Sequence, residues 1–204
     1  MSEHMRVLRQ AASWCLRYPD TEVLDVLPLV ATAVAELGTT PGAEPLRTFL
    51  GYAARTAPME LAAHYVTVFD LRNRRSLNLT WWSDGDTRRR GMALLAFKDA
   101  YRHAGWRFDG DDLPDHLPAV LEFSALSDAA ARGAGEELLA RHHAGVCALH
   151  DALVAAKTPY AHVVGAVRTT LPPRRPAENR EPERPLLELV GLDAYPAHLL
   201  EAGR

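Results

Sequence analysis

Apolar residues recur along this chain at helical spacing almost throughout. Val7, Leu8, Ala11, Trp14, Cys15 and Tyr18 fall at i, i+1, i+4, i+7, i+8 and i+11, the pattern of one helix face. Pro19 ends that helix, and Asp20 is the expected N-cap of a second running through "TEVLDVLPLVATAVAEL", with Gly38 as its stop. Pro28 inside it predicts a kink or a division. A Pro/Gly-containing connection follows. The period then resumes in "PMELAAHYVTVF" at Leu61, Tyr65, Val68 and Phe69.

"DLRNRRSLNLTWW" is the least helical stretch and predicts a few extended residues. Ser83 and Asp84 offer capping oxygens for a helix over "SDGDTRRRGMALLAFKDAYRHAG", with acids in its first turn suited to the helix dipole. "PAVLEFSALSD", "GEELLARHHAGVCALHDALVAA" and "PYAHVVGAVRTTL" each fit one further helix. No strand-turn-strand alternation and no internal repeat stands out. The expected fold class is all-α: a single-domain helical bundle over residues 1–171 with a loose C-terminal extension over 172–204. In that extension, "PPRRPAENREPERP" has the composition of a disordered linker, and "LLELVGLDAYPAHLL" is apolar enough for a short helix or docking segment.

Composition narrows the classes. With 204 residues the chain is able to bury roughly 70% of its unfolded surface without a metal or disulfide staple. Lys+Arg is 23 against Asp+Glu 26, a formal net charge of -3, which argues against general nucleic-acid binding. Cys15 and Cys147 both sit in apolar helical patterns and read as buried free thiols of a reducing compartment. "MSEHMRVLRQ" has no signal-peptide character, and no run of ~18 apolar residues exists to cross a membrane. These features describe a cytoplasmic protein.

The residues with chemical potential cluster in "DDLPDHLPAVLEF", Asp111 to Phe123. On a helical wheel Asp115 and Glu122 share one direction, while Leu113, Leu117, Val120 and Leu121 share the other. Pro118 fits only a first turn, so Asp112 and Asp115 lie at a helix start, where capping is their plain structural role. As an acid/base pair, Asp115 and Glu122 have Cα atoms ~10.5 Å apart along a helix, a poor distance for sharing a proton. No nucleophile motif, phosphate loop or other cofactor signature accompanies them. A surface that attracts cationic groups explains the same residues with less machinery.

Three other constellations carry less. His143, Cys147 and His150 share a helix face, but the third lies too far along a straight helix for one zinc ion. "RNRR" (72–75) and "TRRRG" (87–91) are flanked by Asp70, Asp84 and Asp86, so surface ion pairs are the simpler reading than phosphate contacts. The arginine pairs are interior to the chain and are not read as an export signal of its own. Trp81 and Trp82 are adjacent and face different ways, which allows one to line a groove.

The ordered set "YVTVFDLRNRRSLNLTWWSDGDTRRRGMALLAFKDAY" then "DDLPDHLPAVLEF" resembles the respiratory nitrate reductase assembly chaperones, the NarJ or delta-subunit family, a branch of the redox-enzyme maturation chaperones. The likeness is dense from Tyr65 to Leu126 and weaker in "AASWCLRYPD". It implies an all-helical, non-enzymatic, cytoplasmic chaperone with no cofactor or metal of its own. Its client would be the apo catalytic (alpha) subunit of nitrate reductase, bound partly through a twin-arginine-like N-terminal peptide. The chaperone would hold that subunit competent for molybdenum-cofactor insertion and delay its membrane anchoring, as a monomer or weak dimer. On this reading Tyr65, Phe69, Trp82 and Phe123 are candidate apolar anchors, with Tyr65 the first to be assigned to the core. Asp70, Asp84, Asp86, Asp115 and Glu122, with His116 among them, are the candidate client-facing polar groups. Alternatives are a chaperone of another molybdoenzyme, a small helical metal-dependent hydrolase, or a helical nucleic-acid-binding regulator.

Overall fold

A computed structural model describes residues 2–71, 73–109 and 112–173, with no description of the Asn73 side chain. Asp111, Arg72, and the linker and C-terminal segment from residue 174 onward lie outside the described residues. Among those described there are ten α-helices and no β-strand. They are α1 (Glu3–Cys15), α2 (Thr21–Glu36), α3 (Ala43–Arg55), α4 (Pro58–Tyr65), α5 (Trp81–Asp84), α6 (Arg88–His103), α7 (Leu117–Ala125), α8 (Ala129–Arg141), α9 (His143–Ala155) and α10 (Tyr160–Thr169). The fold is all-α.

Local chemistry sets the helix ends. Ser2 Oγ accepts from Met5 N at 3.3 Å, Asp20 Oδ1 from Val23 N at 2.9 Å, and Asp128 Oδ2 from Ala131 N at 2.7 Å. Each satisfies an orphan donor of a first turn. Helix α2 runs without division through Pro28, which is exposed. Gly42, at φ 92, leads into α3 where a Cβ would meet Thr169 Oγ1 at 2.5 Å. That turn is open only to glycine.

Three expectations are corrected. The connection after Gly38 contains helix α3, whose Leu46, Phe49, Leu50 and Ala53 are buried at i, i+3, i+4 and i+7. The long helix expected from Gly135 to Ala156 is two, parted at buried His142. Helix α6 starts at Arg88 after Thr87, so Asp84 and Asp86 precede it and its first turn holds no acid.

Helix α1 is the spine. It packs against α2, α3, α7 and α10, and buries Leu8, Ala11, Ala12, Cys15 and Leu16 together with Arg9 and Ser13. It is therefore covered on more than the single face its period predicts, and Tyr18 of that face ends up 49% exposed. Fully burying each large side chain, such as Phe49, Leu117 or Leu139, contributes about 1.5–3 kcal/mol. Buried Cys15 is a free thiol, its pKa raised by burial; Cys147 is free but only half-buried, with Sγ 3.7 Å from His143 Nδ1. No described helix is long and apolar enough to cross a membrane.

Candidate functional site: an acidic, aromatic trough

Between α4 and α5 the chain is shaped by a local π-turn and then by one tertiary link. Val66–Asp70 forms a π-turn, closed by Leu71 N donating to Val66 O at 3.1 Å. Its i to i+5 winding lets Tyr65, Phe69 and Asp70 share one side of the backbone. "SLNLT" then runs antiparallel to the start of α7, with Asn78 bridged to His116. Leu79 N donates to Asp115 O at 3.0 Å and Leu117 N to Leu77 O at 2.9 Å. The few extended residues expected in this stretch amount to that single bridge.

Asp115 completes the link. It has no exposed surface, and its carboxylate accepts from Thr80 N at 2.9 Å, Thr80 Oγ1 at 2.5 Å and Asn78 Nδ2 at 3.0 Å. Arg90 Nε donates to the same Thr80 hydroxyl at 3.2 Å. A buried carboxylate is tolerable only when its lone pairs are filled in this way. The expectation that Asp115 shares an outward acidic face with Glu122 is thus corrected. Asp115 precedes α7, whose N-cap is His116, so the helical wheel does not govern it. Leu113, assigned to the apolar side, is 42% exposed.

Beside this link runs an open trough in two joined halves. One, of about 660 Å³, is lined by the turn between α1 and α2, the start of α2, Phe108, Asp112, His116 and Glu122. The other, of about 460 Å³, continues past the π-turn to Ser76 and Asn78. Tyr18, Tyr65, Asp112 and His116 line both. Five carboxylates, Asp20, Glu22, Asp70, Asp112 and Glu122, stand against the guanidinium of Arg17.

The aromatic floor is fixed. Tyr65 is buried, donates its hydroxyl to Leu16 O at 3.2 Å, and meets Tyr18 edge to face at 5.6 Å. Burial, and then the charges of Asp70 and Asp112, push the Tyr65 phenol pKa up. Phe69 packs on Tyr65 and Tyr160, both at 4.9 Å. Tyr18 is the exposed ring above this floor.

The polar rim is partly engaged. Glu122 pairs with Arg17, whose guanidinium also lies 4.3 Å above the Trp14 ring. His116 Nδ1 lies 3.1 Å from Asp112 Oδ2; burial lowers the histidine pKa, opposed by the charges of Asp112 and Asp115. Asp20 caps α2.

Of the sequence candidates, Tyr65, Phe69, Asp70, His116 and Glu122 line the trough, and the other five do not. Trp82 packs on Gly145 of α9, where a Cβ would meet its Cβ at 3.0 Å, and its Nε1 donates to Ser76 O at 3.0 Å. Phe123 is buried edge to face with Tyr101 at 4.6 Å. Half-buried Asp84 accepts from Ser83 Oγ at 2.7 Å, and Asp86 is exposed in the turn before α6. Sequence reasoning missed Arg17, Tyr18, Glu22, Phe108 and Asp112 as trough residues. The bend "RYPD" was the available signal, since Pro19 turns the chain between two helices and sets Tyr18 and Asp20 at one end. Among the described residues no group of three or more His, Cys, Asp or Glu side chains is placed to hold a metal ion.

Comparison with known proteins agrees with this architecture. The chain is 38% identical over 164 residues to the nitrate reductase-like protein NarX of Mycobacterium tuberculosis, covering 80% of this chain and 24% of that protein. The chain thus spans about a quarter of that relative's length. It is 35% identical over 130 residues to a Bacillus subtilis protein named "probable nitrate reductase molybdenum cofactor assembly chaperone NarJ", covering 63% of this chain and 71% of that one. The Escherichia coli K12 NarJ is 31% identical over 112 residues, covering 54% and 48%. A crystal structure from Archaeoglobus fulgidus, of a protein assigned to redox enzyme maturation, superposes with a TM-score of 0.61 at 20% identity, covering 83% of this chain and 94% of that one. That likeness is one of fold. The family model described as the nitrate reductase delta subunit matches residues 36–164, and the chain belongs to that family.

Proposed function

We propose that this protein is a non-enzymatic, cytoplasmic assembly chaperone. It binds the apo catalytic subunit of a respiratory nitrate reductase, including that subunit's N-terminal peptide, and holds it competent for molybdenum-cofactor insertion and membrane targeting. The family membership supports the client class, since relatives in Bacillus subtilis and Escherichia coli are named as nitrate reductase molybdenum cofactor assembly chaperones. The observation that carries the binding mode is the trough, where an exposed tyrosine over an aromatic floor is ringed by five carboxylates. An amphipathic cationic peptide would lay its apolar side on Tyr18, Tyr65 and Phe69, and its arginines against Asp70, Asp112 and Glu22. Glu122 would receive a client arginine by exchanging Arg17, a partly exposed pair whose loss costs little. Charges would steer the encounter, and the apolar contacts would supply most of the affinity. Asp115 serves this reading indirectly, by fixing the loop that carries Asp112 and His116.

Calorimetric titration of the client's N-terminal peptide into the full chain tests this. Asp70→Asn with Asp112→Asn is expected to weaken binding strongly at low salt and less at high salt. Asp86→Asn, away from the trough, is expected to leave it unchanged. Equal affinity of the folded double variant and the parent would remove the trough from client binding. Preference for the peptide of a different molybdoenzyme would reassign the client and leave the trough in place.

A further inference from the structure

Helix α6 is the least covered of the long helices. Only Phe97 and Tyr101 of its 16 residues are buried. Its open side carries Met92 at 70% and Leu95 at 52% exposure, and the turn after it carries Trp106 at 44%. Leu95 and Trp106 edge a groove of about 560 Å³, also lined by Lys98, Arg102, Arg107 and Phe108. Three cations line it against one carboxylate, Asp99. Arg102 pairs with Asp99 and Arg107 with Asp109 at 2.9 Å, all well exposed, so both guanidinium groups exchange partners at little cost. The groove is apolar and basic, opposite in sign to the trough.

We infer that the occupant of this groove is the chain's own C-terminal segment, "LLELVGLDAYPAHLLEAGR", Leu186 to Arg204. That segment combines eight large apolar side chains (Leu186, Leu187, Leu189, Val190, Leu192, Tyr195, Leu199, Leu200) with Glu188, Asp193 and Glu201 against Arg204. It is the sign partner of the groove and a poor match for the acidic trough. The geometry of its departure point permits the docking. Arg9, fully buried, donates to Thr170 O at 2.6 Å and lies 3.9 Å from Glu136 of α8. The end of α10 is thereby fixed against α8. The other side of α8 faces α6, where Glu137 and Arg141 share a cleft with Asp99 and His103. The path from Pro173 to the groove passes α8 and then the flank of α6, a distance on the order of 20 Å. The twelve residues 174–185 reach up to ~40 Å when extended.

Docking there acts on the trough as well. Phe108, stacked on Tyr101 at 5.5 Å, lines both the basic groove and the trough. A tail seated against its one side fixes the wall that a client meets on the other. The proposal concerns a different surface from the client site and stands or falls separately from it.

Hydrogen exchange of the full chain decides the matter, read on peptides covering Arg88–Arg107 in the parent and in a Leu189→Glu, Leu192→Glu variant. Exchange in α6 is expected to be roughly tenfold faster or more in the variant, with α1 and α7 unchanged. Glu188→Lys with Asp193→Lys should give the same loss, and Lys98→Glu with Arg102→Glu added to it should restore protection. Equal α6 exchange in parent and tail variants overturns the proposal. Protection that rises with protein concentration overturns it too, by assigning the groove to a second copy.

Discussion

Asp115 and Thr80, 35 residues apart, form a two-point contact: the backbone N–H and the hydroxyl of Thr80 both donate to one carboxylate oxygen, at 2.9 and 2.5 Å. This contact joins the two most recognisable motifs of the chain, "SLNLT" and "DHLPAVLEF", and places the rim of the trough. Its value is structural. Asp115→Asn turns an amide N–H₂ toward either the two Thr80 donors or the Asn78 Nδ2 donor, and is expected to destabilise the fold by roughly 2–3 kcal/mol. Urea unfolding measures this. Thr80→Ala should cost less, and a double-mutant cycle should give a coupling of about 1–3 kcal/mol. Additive losses would show that the two side chains do not act together.

Tyr18 stands at the junction of the two halves of the trough and is half-exposed, so its removal leaves the core intact. Tyr18→Ala is expected to leave the unfolding midpoint nearly unchanged. Client-peptide affinity should fall by about 1–2 kcal/mol, roughly five- to thirtyfold. The opposite pattern, lost stability with affinity kept, would make Tyr18 a packing residue only.

Stability should fall in mild acid. Burial, then the Arg141 charge, lowers the His142 pKa to about 4, and burial also lowers those of His64 and His116. Below its ordinary value near 6.5 each ring takes up a proton more readily unfolded than folded. The neutral rings therefore support the fold fully above about pH 6.5, and that support drains as pH falls below it, for His142 as pH approaches about 4. For His142, packed on Phe97 at 5.0 Å, the loss is on the order of 3 kcal/mol. Unfolding midpoints at pH 7 and pH 4.5 should differ accordingly, and His142→Phe should reduce the difference. An unchanged slope in that variant would assign the acid sensitivity elsewhere.

Helices α7 and α8 meet at Gly135, where an added Cβ would lie 2.7 Å from the Ser124 Cα and Cβ. Backbone cannot retreat as a side chain can, so Gly135→Ala is expected to cost about 1–3 kcal/mol by forcing the helices apart. Gly133, on the same helix with open space around it, is the control. Gly133→Ala should be neutral or slightly stabilising in thermal unfolding.

The helices were legible because their causes are local. Apolar spacing, Asp20 as a cap, Pro118 in a first turn and Gly105 after α6 each act within a few residues. Helix α3 was also written in its i, i+3, i+4, i+7 apolar set but was hidden by flanking Pro and Gly. The extent of the α1 packing was not legible, because a period tells which residues share a face and not how many neighbours surround the helix.

The sequence by itself determined an all-helical chain of one known family, with acids and aromatics concentrated between Tyr65 and Phe123. Only the tertiary structure decided which acids face outward. Asp115 turns in because its three donors come from residues 78 and 80, brought alongside by a bridge no local pattern encodes. Asp112 and Asp70 are left on the rim, and Tyr18 and Glu22 join them from the α1–α2 turn and the start of α2, far away in sequence. Hydrogen-bond satisfaction across the fold settles the direction of a carboxylate at a helix boundary, since burial is tolerable only where all its partners meet.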